Sequence, residues 1–219
     1  MLFGRWQVNY RENSILLSHR YPFANQFGTI LSMDGKPYLL VVSGPSGVGK
    51  GTVLRKVFAE SDLPLTLSVS ATTRKPRPGE VDGKHYHFLS LDEFETRRQA
   101  GEFLEYFEVF GTGTWYGTLR KTVEEGLAAG HWVVLEIDVK GAKKVKEQFP
   151  DAMMIFIEPK SLDVLKARLQ GRGTETEEAM QRRLATATEE LRYAHEFDYR
   201  IVNDDLDTAV REFIAILGG

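Results

Sequence analysis

The stretch Gly44, Pro45, Ser46, Gly47, Val48, Gly49, Lys50, Gly51, Thr52 has the composition of a phosphate cradle. Its glycines let the backbone turn with N–H groups pointing inward around phosphate oxygens, and Lys50 reaches the outer phosphates of a nucleoside triphosphate. A Ser or Thr normally follows the lysine and supports Mg²⁺. Gly51 takes that position here, so Thr52, the next residue, becomes the candidate hydroxyl. An apolar run, Leu39 to Val42, precedes the loop, and a helical pattern (Val53, Leu54, Val57, Phe58) follows it. This strand, loop and helix context separates a phosphate loop from an ordinary glycine-rich turn.

The same cradle serves motors, switches and kinases, so the reaction must be chosen by other residues. Glu136 and Asp138 lie at the C-terminal end of the apolar run HWVVLEIDV, the edge of an open α/β sheet where ligands bind. Two acids two apart on a strand share one face, so both are expected to address the same crevice. A second anion site is signalled by Ser70-Ala-Thr-Thr-Arg74-Lys-Pro-Arg77-Pro-Gly-Glu-Val-Asp-Gly-Lys-His-Tyr86. Prolines flank its arginines, guanidinium suits bidentate phosphate capture, and Tyr86 offers a phenolic hydroxyl. Alone, the segment also reads as a solvated basic loop. Together with the cradle it implies two phosphate sites, the requirement for a phosphotransferase with a phosphorylated acceptor.

These residues need a scaffold, and 219 residues suffice for one domain with a substantial core. A net charge of −3 gives no overall attraction for nucleic acid or an acidic membrane, and no apolar run reaches membrane-span length. The absence of cysteine excludes a disulfide framework and suits a reducing cytoplasm. Apolar runs at Leu39–Val42, HWVVLEIDV and AMMIFIE alternate with helical patterns, which predicts a doubly wound parallel sheet. LTLSVS reads as a strand, HYHFLS as a short strand, EFLEYFEVF as a strand and GTGTWYGT as turn-rich. Helices are expected at Leu91–Ala100, Leu119–Ala129 and Gly141–Gln148, then two in a charged segment broken at Gly171–Gly173, the second starting near Thr176. DYRIVND and DLDTAVREFIAIL close the chain as a strand and an amphipathic helix. Residues 1–36 show neither clean periodicity nor a secretory signal and are expected to be a poorly ordered arm, with Met33 a candidate translation start.

From Tyr38 to Leu217 the chain resembles guanylate kinase, through SGPSGVGKGT, SVSATTRKPRPGEVDGKHYHF, GEFLEYFEVFGTGTWYGT, LEIDVKGA, RLQGRGTETEE and IVNDDLD in that order. The resemblance implies an α/β fold: a P-loop-containing parallel sheet core flanked by helices (37–69, 126–160, 196–219), a small mixed α+β GMP-binding subdomain (70–125) and a helical lid (161–195). It further implies that Arg74, Arg77, Tyr86 and Tyr116 hold the GMP phosphate while Ser70, Glu105, Thr118 and Asp138 surround guanine. Arg168, Arg172 and Arg183 would close on the transferring phosphoryl group beside Lys50, and Asn203 would lie near the adenine of ATP. Mg²⁺ would be held by Thr52 and, through water, by Glu136. Alone, Glu105 reads as a solvated acid and the lid arginines as a salt-bridged face.

Three features depart from the family pattern. GTGTWYGT is two residues longer than usual, which puts the place of Tyr116 in question; Lys140 stands where Gln is frequent; and the last helix is short. The implied reaction is reversible transfer of the ATP γ-phosphoryl group to GMP or dGMP. A catalytically inactive phosphopeptide-binding module would be expected to have a degraded P-loop. An adenylate-type kinase would leave Glu105, Ser70 and the SVSATTRKPR block unexplained. The oligomeric state is open.

Overall fold

The computed structural model describes residues 38–109, 113–170 and 177–218; the 1–36 arm, Arg172 and the first two residues of GTGTWYGT, Gly111 and Thr112, lie outside them. Strand β1 (Leu39–Ser43) is buried along its whole length. A continuous apolar strand of this kind is stable only with partners on both edges and cover on both faces. It pairs in parallel with β7 (Trp132–Glu136) on one side and β8 (Met153–Glu158) on the other. With β2 (Leu65–Leu67) and β9 (Tyr199–Val202) these form a five-stranded parallel sheet of order β2-β7-β1-β8-β9. The P-loop leaves β1 at its centre, at the carboxyl ends of the strands.

The helices follow the predicted order. They are α1 (Lys50–Glu60), α2 (Leu91–Gln99), α3 (Arg120–Ala128), α4 (Val139–Gln148), α5 (Leu162–Gln170), α6 (Glu177–Arg192) and α7 (Leu206–Ile216). On one side of the sheet Val41, Leu135, Met154 and Phe156 pack with Val139, Ala142 and Val145 of α4 and with Phe197. Gly44 ends β1 at φ 141°, and a Cβ there would stand 2.0 Å from the Ile157 carbonyl oxygen. Only glycine lets the loop peel away this close to β8.

A second, four-stranded sheet has the order β4-β3-β6-β5: β4 (His87–Phe88), β3 (Ala71–Thr72), β6 (Thr114–Leu119) and β5 (Phe103–Val109). It is mixed, with β3 and β4 parallel and the remaining pairs antiparallel. Its own small core is Ala71, Phe94, Phe103 and Leu119, with Trp115 and Tyr106 packed against it.

Three local expectations are corrected. LTLSVS forms strand only at Leu65–Leu67; beyond it Ser68 still donates to the Val134 carbonyl at 2.9 Å, and the chain then crosses to the second sheet. Most of GTGTWYGT is strand β6, because the glycine and threonine content that reads as turn is compatible with a half-buried hairpin arm. Asp138 is not a strand residue. β7 stops at Glu136, and Asp138 is the N-cap of α4, accepting from the Gly141 N–H at 2.7 Å.

Candidate functional site

At the P-loop, Lys50 folds back over its own loop, its ammonium donating to the carbonyls of Gly44 at 2.6 Å and Pro45 at 3.3 Å. Burial lowers its pKa, and the carboxylates of Glu136, Glu190 and Asp138 oppose that shift. The lysine Nζ thus lies among acids and loop carbonyls, beside the turn that an incoming phosphate would enter. Two lid elements already touch the loop. From α5, Arg168 donates to the Val48 carbonyl at 3.1 Å; from α6, Arg183 donates to the Ser46 hydroxyl at 3.0 Å. Glu190, on the same helix, accepts the Ser46 backbone N–H, and its Oε2 is buried without a partner. Sequence reading passed over Glu190, which looks like any other acid of a charged helix.

Asn203 is buried and donates from Nδ2 to the Val48 carbonyl at 2.8 Å, so it braces the loop from β9. Gly49, at φ 101°, makes room for it: a Cβ there would lie 2.6 Å from that amide nitrogen. Thr52 does not join Glu136. It is exposed and faces a cleft lined by Gly47, Gly49, Arg168, Asn203 and Asp204. The side facing Glu136 belongs to Gly51, whose added Cβ would stand 3.4 Å from the Glu136 Oε2. On a helix, residues one apart point about 100° away from each other, so a hydroxyl at 52 cannot replace one at 51.

The second half of the site is carried by the four-stranded sheet. Phe103 pairs with Leu119 and Glu105 with Thr118, so Leu104 is an extra residue, a β-bulge. The bulge resets the alternation: Phe103 and Tyr106, three apart, both pack on the small aromatic core, while Leu104 joins the main core. Glu105 is thereby turned from the aromatic side toward α4. It is 2 % exposed, far from the solvated acid its sequence neighbours suggest. Its Oε1 accepts from the Thr118 hydroxyl at 2.6 Å, and its Oε2 is buried with no partner. Burial, reinforced by Asp138, pushes its carboxyl up to about 7, against the Thr118 hydrogen bond. An unsatisfied buried carboxylate oxygen is costly in a folded protein and marks a place built for donors that arrive with a ligand.

Gly141 forms the opposite wall. A Cβ there would meet the Glu105 Oε2 at 2.9 Å and the Asp138 Oδ1 at 3.3 Å. Gly141→Ala is expected to keep the fold, because helix α4 accepts alanine, but to push Glu105 aside and raise the acceptor KM about tenfold with a smaller change in kcat. Steady-state kinetics together with a melting curve would check both halves.

Arg74, Tyr86 and Tyr116, expected to hold the acceptor phosphate, are brought together. Arg74 Nε donates to the Tyr116 hydroxyl at 3.1 Å, and its guanidinium lies 5.2 Å from the Tyr86 ring centroid. The two tyrosine rings meet edge to face at 5.7 Å, and burial raises the Tyr86 pKa. The longer hairpin does not displace Tyr116: it pairs with Phe107 in register and stacks on it at 5.8 Å. Ser70 is half-buried just before β3, and the Arg77 side chain is exposed. The carboxylate of Glu136 is close enough to influence Tyr86, and Asp138 influences both Lys50 and Glu105, so the two half-sites share one space.

Comparison with known proteins agrees with this geometry. The guanylate kinase family model matches residues 36–218. The chain is 48% identical to a guanylate kinase of Rhodopirellula baltica over 82% of its own length and 86% of the relative's. It is 52% identical to one from Symbiobacterium thermophilum, covering 84% and 87% of the two chains. The crystal structure of guanylate kinase from Anaplasma phagocytophilum superposes with a TM-score of 0.67 at 33% identity, over 84% of this chain and 85% of that one. A parallel sheet with a P-loop at its centre, a bulged strand that buries a carboxylate with one oxygen unpaired, and relatives matching across nearly the whole described chain lead to one assignment: this protein belongs to the guanylate kinase family.

Proposed function

We propose that the chain catalyses reversible transfer of the ATP γ-phosphoryl group to GMP, and to dGMP, giving ADP and the nucleoside diphosphate. The observation that carries the acceptor choice is the buried Glu105 Oε2 with no partner, paired through Oε1 with Thr118. Guanine presents N1–H and its exocyclic N2 amino group as adjacent donors, and an ionised Glu105 accepts both. Adenine lacks the N2 amino group and has an acceptor at position 1. A pocket of this type discriminates by roughly 10⁴-fold, because the wrong base leaves buried polar groups unpaired.

In this reading the adenosine half of ATP lies in the cleft beside Thr52, Arg168, Asn203 and Asp204, and its phosphates enter the P-loop. The nucleophile is an oxygen of the GMP phosphate, already anionic, so no general base is required. Catalysis consists of alignment and charge neutralisation. Lys50 and the loop N–H groups hold the β- and γ-phosphates, while Arg183 and Arg168, already docked on Ser46 and Val48, cover the transferring group. Arg172 belongs to the same lid by family pattern. Arg74, Arg77, Tyr86 and Tyr116 fix the acceptor phosphate for in-line attack.

The donor set fits Mg²⁺ brought in on ATP. Among the described residues no group of three or more His, Cys, Asp or Glu could form a protein cage, and Glu136 is an exposed carboxylate next to Gly51. Glu136 would hold the hydrated ion, which neutralises phosphate charge. Since the Cβ of residue 51 would only touch Glu136, Gly51→Ser fits sterically and adds the missing hydroxyl. It is expected to tighten Mn²⁺ binding to the ATP complex roughly fivefold, read by paramagnetic titration.

A cysteine-free chain suits a reducing cytoplasm, and among the described residues no helix is long and apolar enough to cross a membrane. The test of the main reading is ADP release from Mg²⁺ and ATP with GMP, AMP, CMP or UMP as acceptor. Turnover confined to GMP is expected, and equal turnover with AMP would overturn it.

A further inference from the structure

The acceptor-phosphate cluster has an acid at its centre. Glu80 accepts from Arg74 Nη1 at 2.8 Å and Nη2 at 2.9 Å, a bidentate pair, and from the Arg77 backbone N–H at 2.6 Å. The side chains of Arg74 and Glu80 are only 17% and 18% exposed, so this is not a solvated surface pair. The Arg77 carbonyl in turn accepts from the Glu80 N–H at 3.0 Å. Residues 77–80 therefore form a turn, with Pro78 and a left-handed Gly79 (φ 85°) at its centre, that the Glu80 side chain closes a second time. The chain's two acceptor-side arginines are tied to one carboxylate.

We propose that Glu80 is a positioning residue of the acceptor site, fixing the Arg74 guanidinium and the Arg77 backbone in phosphate-binding geometry before the acceptor arrives. The inference rests on the GMP reading above. Arg74 also donates from Nε to Tyr116 and from Nη1 to the Lys75 carbonyl at 2.8 Å, so its plane is set by three protein groups. A guanidinium carries five N–H donors. These contacts leave an Nη2 donor free, and the exposed Arg77 guanidinium, the Tyr86 hydroxyl and the Tyr116 O–H remain to meet a phosphate. The ligand thus has donors without displacing Glu80. Rotamer entropy that a free arginine would lose on binding is lost on folding instead. The Glu80 carboxyl is held down at about 2 by Arg74, so the pair stays ionised throughout the working pH range.

The competing possibility is that Glu80 imitates the acceptor phosphate and must be expelled by it, which predicts the opposite sign. Calorimetric titration of the full chain and its Glu80→Gln variant with GMP and with guanosine, which lacks the phosphate, separates the two. Positioning predicts that Glu80→Gln weakens GMP about tenfold and leaves guanosine unchanged. It also predicts that the KM for GMP rises more than kcat falls, and that the losses of GMP affinity from Arg74→Ala and Glu80→Gln are less than additive in the double variant. Tighter or unchanged GMP binding overturns the proposal, and so does a parallel weakening of GMP and guanosine, which would mark a collapsed loop. If the parent chain binds GMP no better than guanosine, the phosphate-site assignment falls first and the Glu80 role with it.

Discussion

Lys50→Ala is expected to lower kcat about 10³-fold while leaving GMP affinity within a factor of about two. The ammonium of Lys50 sits on the Gly44 and Pro45 carbonyls within the P-loop, whereas Glu105 and Thr118 belong to the four-stranded sheet. Burial lowers the lysine pKa, and Glu136, Glu190 and Asp138 oppose that shift. A preorganised charge in such a place acts most strongly when negative charge shifts toward the bridging oxygen in the transition state. Removing one donor of this kind costs roughly 3–4 kcal/mol in comparable sites. The substitution also leaves Glu136, Glu190 and Asp138 facing the β- and γ-phosphates without the lysine between them, so the ATP KM should rise as well. Quench-flow measurement of the transfer step, with GMP binding followed separately by calorimetry, checks the division. A matching loss of GMP affinity would show that the half-sites are not separable and would contradict the assigned roles.

The P-loop core was legible because its signals are contiguous: one strand, one loop and one helix in sequence, followed by apolar runs that can only be buried strands. Leu39–Ser43, Trp132–Glu136 and Met153–Glu158 are strands for that reason. What was not legible depends on residues far apart. The bulge at Leu104 is a property of the pairing between β5 and β6; in FLEYFEV alone apolar residues come in adjacent pairs, Phe103-Leu104 and Tyr106-Phe107, which do not say which face each takes, and Glu105 reads as a solvated acid. Gly141 matters only because Glu105 lies across from it, and Glu80 only because the turn folds it back on Arg74. Composition favours Thr52, since position 51 has no hydroxyl, but the helix turns it into the cleft beside Arg168 and Asn203. The apolar run reads as carrying Asp138 on the strand with Glu136, whereas β7 stops at Glu136 and the capping tendency of Asp138 starts α4. The clustering of Arg74, Tyr86 and Tyr116 is closer to what the sequence suggests, because the prolines and glycine of the RKPRPGE segment already announce a constrained loop.

Glu105→Gln should make the protein more stable at pH 8 and a poorer guanine-selective enzyme. The folded-state pKa of Glu105 is about 7 against an ordinary 4.5, raised mainly by burial. A carboxyl whose pKa is raised on folding destabilises the native state wherever it must ionise there. The penalty is absent below about pH 4.5, grows between 4.5 and 7, and is complete above 7. A shift of this size corresponds to roughly 3 kcal/mol, and glutamine does not incur it. The variant's melting temperature should therefore exceed the parent's by roughly 5 °C or more at pH 8, with the gap closing toward pH 4.5. Function moves the other way. Two guanine donors lose an ionised acceptor, and hydrogen bonds to charged groups contribute about 1.5–3 kcal/mol each, so kcat/KM for GMP should fall about 10²–10³-fold. In the parent, kcat/KM for GMP should decline as pH falls through about 7, because the protonated carboxyl presents its own proton to the guanine donors. In the glutamine variant that decline should vanish. In the function proposed for this chain the cost in stability is offset when the substrate supplies the partner for Oε2, and a parent profile flat between pH 5.5 and 8.5 would overturn that role.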